Sequence, residues 1–189
     1  VFLRLHRKLR YCAFKNSLLV SSRNFRENLD PKENIMSKLI FNGALHQISL
    51  IDSNGQIVGT WAAYNNIDSH ATLTHLQNRA YTVQDQTVPH QHMASANGPY
   101  GLYGIVRFNV SQHPGIGVHS GRANARHLPG PQHPTMGCIR TTDEAMLVIT
   151  RFMRTSPLTT VEVINNNMVS ACTATHRNQY RHLDRPTHA

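Results

Sequence analysis

The feature that most constrains this chain is a pair of alternating apolar runs joined by Asn54-Gly55. Residues 45–52 (LHQISLID) set His46, Ile48 and Leu50 on alternate positions, and residues 56–62 (QIVGTWA) do the same with Ile57, Gly59 and Trp61. A period of two belongs to a strand with one face against a core, and Asn-Gly is the favoured pair of a type I′ hairpin turn. Residues 39–43 (LIFNG) precede them as another strand ending in a turn. Two hairpins in succession predict an antiparallel meander and a mostly β fold.

Residues 64–99 are polar and weakly patterned; they read as a long surface loop with a short helix near His75–Ala80, and a loop of that length suits a lid. Residues 101–110 (GLYGIVRFNV) and 115–119 (GIGVH) read as strands, 121–135 as a loop rich in Pro, Gly and His, and Cys138–Arg140 as a short extended segment. Thr141 and Glu144 have capping-box spacing, which predicts a helix over 142–154 with Ala145, Met146, Ile149, Phe152 and Met153 on one side, stopped by Pro157. Residues 158–164 (LTTVEVI) alternate as a closing strand. The expected organisation is a domain over 36–165, an N-terminal extension over 1–35 and a polar tail over 166–189.

The 189 residues suit one domain, and no run of eighteen apolar residues marks a membrane-spanning helix. Lys and Arg number 19 against 10 Asp and Glu, a formal net charge of +9. Residues 1–35 hold eight of those bases and three of the acids, so much of the excess lies outside the patterned region. A basic balance suits an anionic partner, whether nucleic acid, a membrane surface or a wall polymer. The extension itself reads as a gene start placed upstream of Met36, a targeting peptide or a disordered basic arm. Three cysteines (Cys12, Cys138, Cys172) without CxxC spacing argue against a disulfide framework and a zinc knuckle.

Chemistry concentrates in two short segments. Val118-His119-Ser120-Gly121 ends one predicted strand, and Thr135-Met136-Gly137-Cys138-Ile139-Arg140 leads into the next, with nineteen residues from His119 to Cys138. A thiol attacks as thiolate, and a neighbouring imidazole can take its proton, leaving an ion pair. That assigns Cys138 as nucleophile and His119 as base, with the Ser120 carbonyl or hydroxyl, or another backbone carbonyl, orienting the imidazole. Gly137 permits close backbone approach. The N–H groups of Gly137, Cys138 and Met136 are candidate oxyanion donors, and such a donor is worth about 2.7–4 kcal/mol in acyl transfer. Arg140 lies two residues along from Cys138, on the same face of a strand, placed to hold a substrate carboxylate.

The run Thr-x-Gly-Cys-Ile-Arg at 135–140, with His119-Ser120-Gly121 about twenty residues earlier, resembles the signature of L,D-transpeptidase catalytic domains (YkuD-like). Met136 departs from the His or other polar residue that many members carry there. The resemblance implies a β-sandwich-like fold with one short helix after the catalytic cysteine. It implies acyl transfer on peptidoglycan stem peptides: Cys138 forms a thioester, His119 is its base, Ser120 orients the histidine, and Thr135, Gly137 and Arg140 shape the acyl site. Transfer to another stem peptide, exchange with a D-amino acid and hydrolysis are all compatible with it, and no metal or organic cofactor is required. Such chemistry happens in the periplasm or outside the cell. No secretory leader is recognisable at Val1 or Met36, so the expectation extends to an antibacterial effector exported by a dedicated secretion apparatus and held in check by a cognate immunity protein.

Rival readings come from other classes. A non-catalytic basic module binding an anionic polymer would rely on the N-terminal extension, but no RNP, KH or zinc-finger pattern supports a specific nucleic-acid partner. A papain-like peptidase or amidase would need an Asn or Asp partner for His119 that the sequence does not identify. His113, His127 and His133, with His119, are candidate zinc ligands without a supporting spacing and read better as solvated loop histidines. Arg122 and Arg126 read as loop charges, Tyr100 and Tyr103 as strand packing or pocket lining, and Cys12 and Cys172 as inert thiols.

Overall fold

The computed structural model describes residues 36–166; the predicted N-terminal extension and all but the first residue of the predicted tail, with Cys12 and Cys172, lie outside them. The first three strands form the expected meander: β1 (Ser37–Asn42), β2 (Gln47–Ile51) and β3 (Ile57–Tyr64). In β1 and β2 the register opposes Phe41 to Ile48 and Leu39 to Leu50, and these alternating residues meet on one buried face. Burying each such side chain stabilises the fold by about 1.5–3 kcal/mol. In β3 the predicted face is not buried: Ile57 is exposed and Trp61 only half-buried against the core.

The β2–β3 turn differs from the predicted type I′ form. Asp52 N–H bonds the Gln56 carbonyl at 2.9 Å, which makes the loop three residues, and Gly55, not Asn54, carries positive φ (80°). The Asp52 carboxylate accepts the Asn54 and Gln56 N–H groups, each at 2.8 Å, and so selects a turn ending in a left-handed glycine.

Then follow β4 (Arg79–Thr82), β5 (Ile105–Arg107), β6 (Gly117–His119), β7 (Ile139–Thr141), helix α1 (Asp143–Phe152) and β8 (Leu158–Ile164). The sheet order is β4-β8-β1-β2-β3-β7-β6-β5. The pairs β1–β8 and β6–β7 are parallel and the rest antiparallel. Its two end strands approach each other: Val83, just past β4, bridges Phe108, just past β5. The sheet thus curls over a core that includes Phe41, Leu50, Phe108, Val118, Ile139 and Val161. Helix α1 contributes Ala145, Met146 and Ile149 from one face to the same core. Among the described residues the fold is mostly β, a curled sheet with one short helix after Cys138, as expected.

The short helix predicted near His75–Ala80 does not form within residues 64–99. Their middle is β4, paired with β8, and the rest is tied down by individual polar contacts. Asp85 grips Arg107 through two side-chain bonds of 2.9 and 2.8 Å and one to its main-chain N–H, and His90 exchanges backbone bonds with Ile105. The predicted strand over 101–110 shrinks to β5, because Gly101 and Gly104 both take positive φ. The helix begins one residue later than predicted. Thr142 is its cap, accepting from Ala145 N–H at 3.1 Å, because Thr141 continues β7 and gives its hydroxyl to the Ala62 carbonyl.

Candidate active site

Strands β6 and β7 run parallel, with Val118 opposite Ile139 and His119 opposite Arg140. Alternation then places His119, Arg140 and Cys138 on one face of this strand pair. All three line a single cleft of about 270 Å³, together with Tyr100, Thr135 and Met136. His119 is 2% exposed and Cys138 7%, whereas Met136, at 57%, forms a lip in front of them.

The backbone before Cys138 is an unusual turn. Gly137 sits at φ +135°, and a Cβ there would come within 2.5 Å of Leu73 Cδ2 and 2.9 Å of Ile116 Cδ1. Only glycine fits. The Thr135 hydroxyl accepts the Gly137 N–H at 3.2 Å and donates to the Cys138 carbonyl at 2.8 Å. The Gly137 N–H is therefore engaged inside the turn. Of the three sequence-predicted oxyanion donors, the N–H groups of Cys138 and Met136 remain.

Asn65, to which the sequence reading gave no role, holds this turn from behind. Its amide donates to the carbonyls of Gly137 (2.9 Å) and Cys138 (3.1 Å), and its Oδ1 accepts from Leu76 N–H and from Asn166. A polar residue just after a strand carries no periodic signal, so nothing in the sequence marked it.

The hydrogen bonds of His119 fix its tautomer. Its Nδ1 lies 2.8 Å from the Ser120 carbonyl, which can only accept, so the proton is on Nδ1 and Nε2 is the basic nitrogen. The carbonyl of Ser120, not its hydroxyl, orients the ring. Burial pushes the imidazole down to about 3, with the Arg140 charge and His92 adding to the effect and the Ser120 bond opposing it. Burial also raises the Cys138 thiol, while the Gly117 N–H and Arg140 pull it back. Both shifts favour uncharged groups. The two groups line the same cleft, and both shifts run against the expected ion pair.

Arg140 is 4% exposed, and three loops converge on it. Nε donates to the His133 carbonyl (3.1 Å), and Nη1 donates to those of Pro99 (3.0 Å) and Ser120 (2.9 Å). Burial and then the nearby Arg122 lower it to about 10, so it stays charged at neutral pH. Nη2 makes no hydrogen bond among the described residues, and Arg140 lines the cleft. Most of this guanidinium braces the site.

Tyr100 forms a wall of the cleft, edge-on to His119 with ring centroids 5.2 Å apart, and His92 stacks on it at 3.9 Å. Arg122 lines the cleft as well, whereas Tyr103 packs against the core. Among the described residues, no group of three or more His, Cys, Asp or Glu side chains is arranged to hold a metal ion. No helix among them is long and apolar enough to cross a membrane.

No family model matches the chain, and no curated protein matches it in sequence. Solved structures similar to it include an L,D-transpeptidase (Yku) from Stackebrandtia nassauensis, at 14% identity and a TM-score of 0.46, with 69% of this chain and 56% of that one covered. An L,D-transpeptidase from Xylanimonas cellulosilytica matches at 16% identity and a TM-score of 0.46, over 70% of this chain and 62% of that one. L,D-transpeptidase 1 of Mycobacterium tuberculosis matches at 18% identity and a TM-score of 0.38, over 67% and 62%. This chain spans less than two thirds of the length of each.

Proposed function

We propose that the cleft is the active site of a cysteine acyltransferase of the L,D-transpeptidase kind, acting on peptidoglycan stem peptides. The observation that carries the acyl-transfer reading is the state of His119: its Nδ1–H is locked on the Ser120 carbonyl, which frees Nε2 as a base in the cleft that holds the Cys138 thiol. The motif at 135–140, with His119-Ser120-Gly121 upstream, supports the substrate class through its resemblance to that family.

The chemistry follows from these groups. With substrate bound, the thiol proton passes to Nε2 as sulfur attacks the peptide carbonyl beside a terminal D-residue. The negative oxygen that develops falls to the Cys138 N–H. The carbon–nitrogen bond to the D-residue breaks, and His119 returns its proton to the departing amine. A thioester remains on Cys138. An incoming amine then gives a proton to Nε2 and displaces the sulfur; water in its place gives hydrolysis. Nη2 of Arg140 suits a substrate carboxylate.

Incubation with tetrapeptide and pentapeptide muropeptides, followed by mass spectrometry, tests this. Wild type is expected to release terminal D-alanine or exchange it for an added D-amino acid, and Cys138→Ala to do neither. His119→Ala should be nearly as damaging, because the couple acts as a unit. Turnover by Cys138→Ala at the wild-type rate would overturn the assignment. The substrate places the enzyme's work in the periplasm or outside the cell, and the proposal includes delivery as an antibacterial effector. Bacterial growth with the chain expressed with and without a grafted export signal tests that part: toxicity only on export supports it, and equal harmlessness in both compartments counts against it.

A further inference from the structure

We propose that Asp143 is a positioning residue for His119, acting through Ser120 and through the turn that carries Tyr100; this rests on the acyltransferase reading above. Asp143 is the first residue of α1, where an acid is ordinarily explained by the helix dipole. Here its Oδ1 points away from the helix. It accepts the Ser120 hydroxyl at 2.5 Å and the Leu102 N–H at 3.3 Å. Capping does not need it, because Thr142 supplies the cap.

Both contacts lead to His119. Ser120 is 1% exposed, and its carbonyl receives Nδ1–H of His119 at 2.8 Å and Nη1–H of Arg140 at 2.9 Å. Its side chain is anchored to Asp143 while its carbonyl holds the two donors, so the peptide plane that sets the tautomer of His119 is held at both ends. Leu102 follows the turn that presents Tyr100 to the edge of the imidazole. One carboxylate thus braces the acceptor of the ring's proton and the aromatic wall beside the ring.

Gly101 keeps this junction open. It sits at φ +72°, and a Cβ there would run into the Ser120 hydroxyl, lie 2.7 Å from Asp143 Oδ1 and lie 2.8 Å from the Gly121 nitrogen. A helix-dipole role alone requires no such opening.

A double-mutant cycle on Asp143→Ala and Ser120→Ala tests the link, with Asp143→Asn as the conservative variant. Two readouts are used: kcat and KM for D-alanine release, and the rate of Cys138 alkylation by iodoacetamide at neutral pH, which needs no peptide substrate. Each Ala variant is expected to lose about tenfold in kcat with KM little changed, as for a misplaced catalytic group, and to alkylate more slowly. The double variant should be no worse than Asp143→Ala alone, and Asp143→Asn, which keeps an acceptor oxygen, should recover most of the rate. Ser120→Ala leaves the start of the helix intact, so its effect reads the link even where Asp143→Ala unfolds. Multiplying losses in the double variant, a loss confined to KM, or wild-type kcat and alkylation in Ser120→Ala would overturn the proposal. Failure of the wild type to turn over any stem peptide would instead strike the acyltransferase reading, while the alkylation cycle still reports on Asp143.

Discussion

A buried neutral histidine makes an enzyme sensitive to acid, and His119 allows the size of that effect to be worked out. In the unfolded chain its imidazole titrates near 6.5, and in the fold burial holds it at about 3. Between those values the unfolded state binds a proton that the native state refuses, so stability rises with pH across the window. The destabilisation is absent above about pH 6.5, grows as pH falls and levels off below about pH 3. Integrating at 1.36 kcal/mol per pH unit, a fall from pH 7 to pH 4 removes about 3 kcal/mol through this one group. That is a large part of the 5–15 kcal/mol that holds a typical domain together. His119→Asn keeps a donor for the Ser120 carbonyl and cannot titrate. Urea unfolding of both proteins at pH 7 and pH 4 isolates the term, because contributions from carboxylates cancel in the difference. The wild type should lose about 3 kcal/mol more than the variant over that interval. Equal losses would show that His119 protonates normally in the fold, and the neutral imidazole would then be wrong.

Gly137→Ala places a Cβ against Leu73 and Ile116 at a φ of +135°; it should lose at least the 1–3 kcal/mol typical of such backbone strain, read by thermal melting, together with most of its turnover. Asn65→Ala strips the Gly137 carbonyl and Leu76 N–H of a partner, at about 1–3 kcal/mol for each buried group left unsatisfied, while the Cys138 carbonyl keeps the Thr135 hydroxyl, so it should lower both the melting temperature and kcat. Arg140→Lys keeps the charge but has no fork to reach three carbonyls at once, so it should destabilise the fold by about 1–3 kcal/mol and fail to restore activity.

The sequence carried the parts of the fold that depend on short-range periodicity. Alternation at Leu39, Phe41, Ile48 and Leu50 marks β1 and β2 because one face of each is buried. The alternation over 158–164 marks β8, but not its parallel pairing beside β1, which closes the sheet between segments more than a hundred residues apart. β4 was missed for a related reason: of its four residues (RAYT) only Tyr81 is buried, too few to show a period. The 64–99 segment reads as a free loop because its anchors are individual side-chain bonds, such as Asn65 to the Gly137–Cys138 turn and Asp85 to Arg107, and these leave no periodic trace. At the site, residue types and spacing singled out Cys138, His119, Ser120, Gly137 and Arg140. What each polar atom does was not legible. The Ser120 hydroxyl faces Asp143 while its carbonyl orients the histidine, the Gly137 N–H is consumed by Thr135, and most of Arg140 is spent on backbone carbonyls. Those roles are set by loops converging from distant parts of the chain.

The most direct test of the central claim is the mass of the intact protein after brief mixing with a tetrapeptide stem. The account predicts a covalent adduct equal to the stem peptide without its terminal D-alanine, mapped to Cys138 and discharged by hydroxylamine or an added D-amino acid. An adduct on another residue, or none at all on a protein whose Cys138 still alkylates readily, would contradict it.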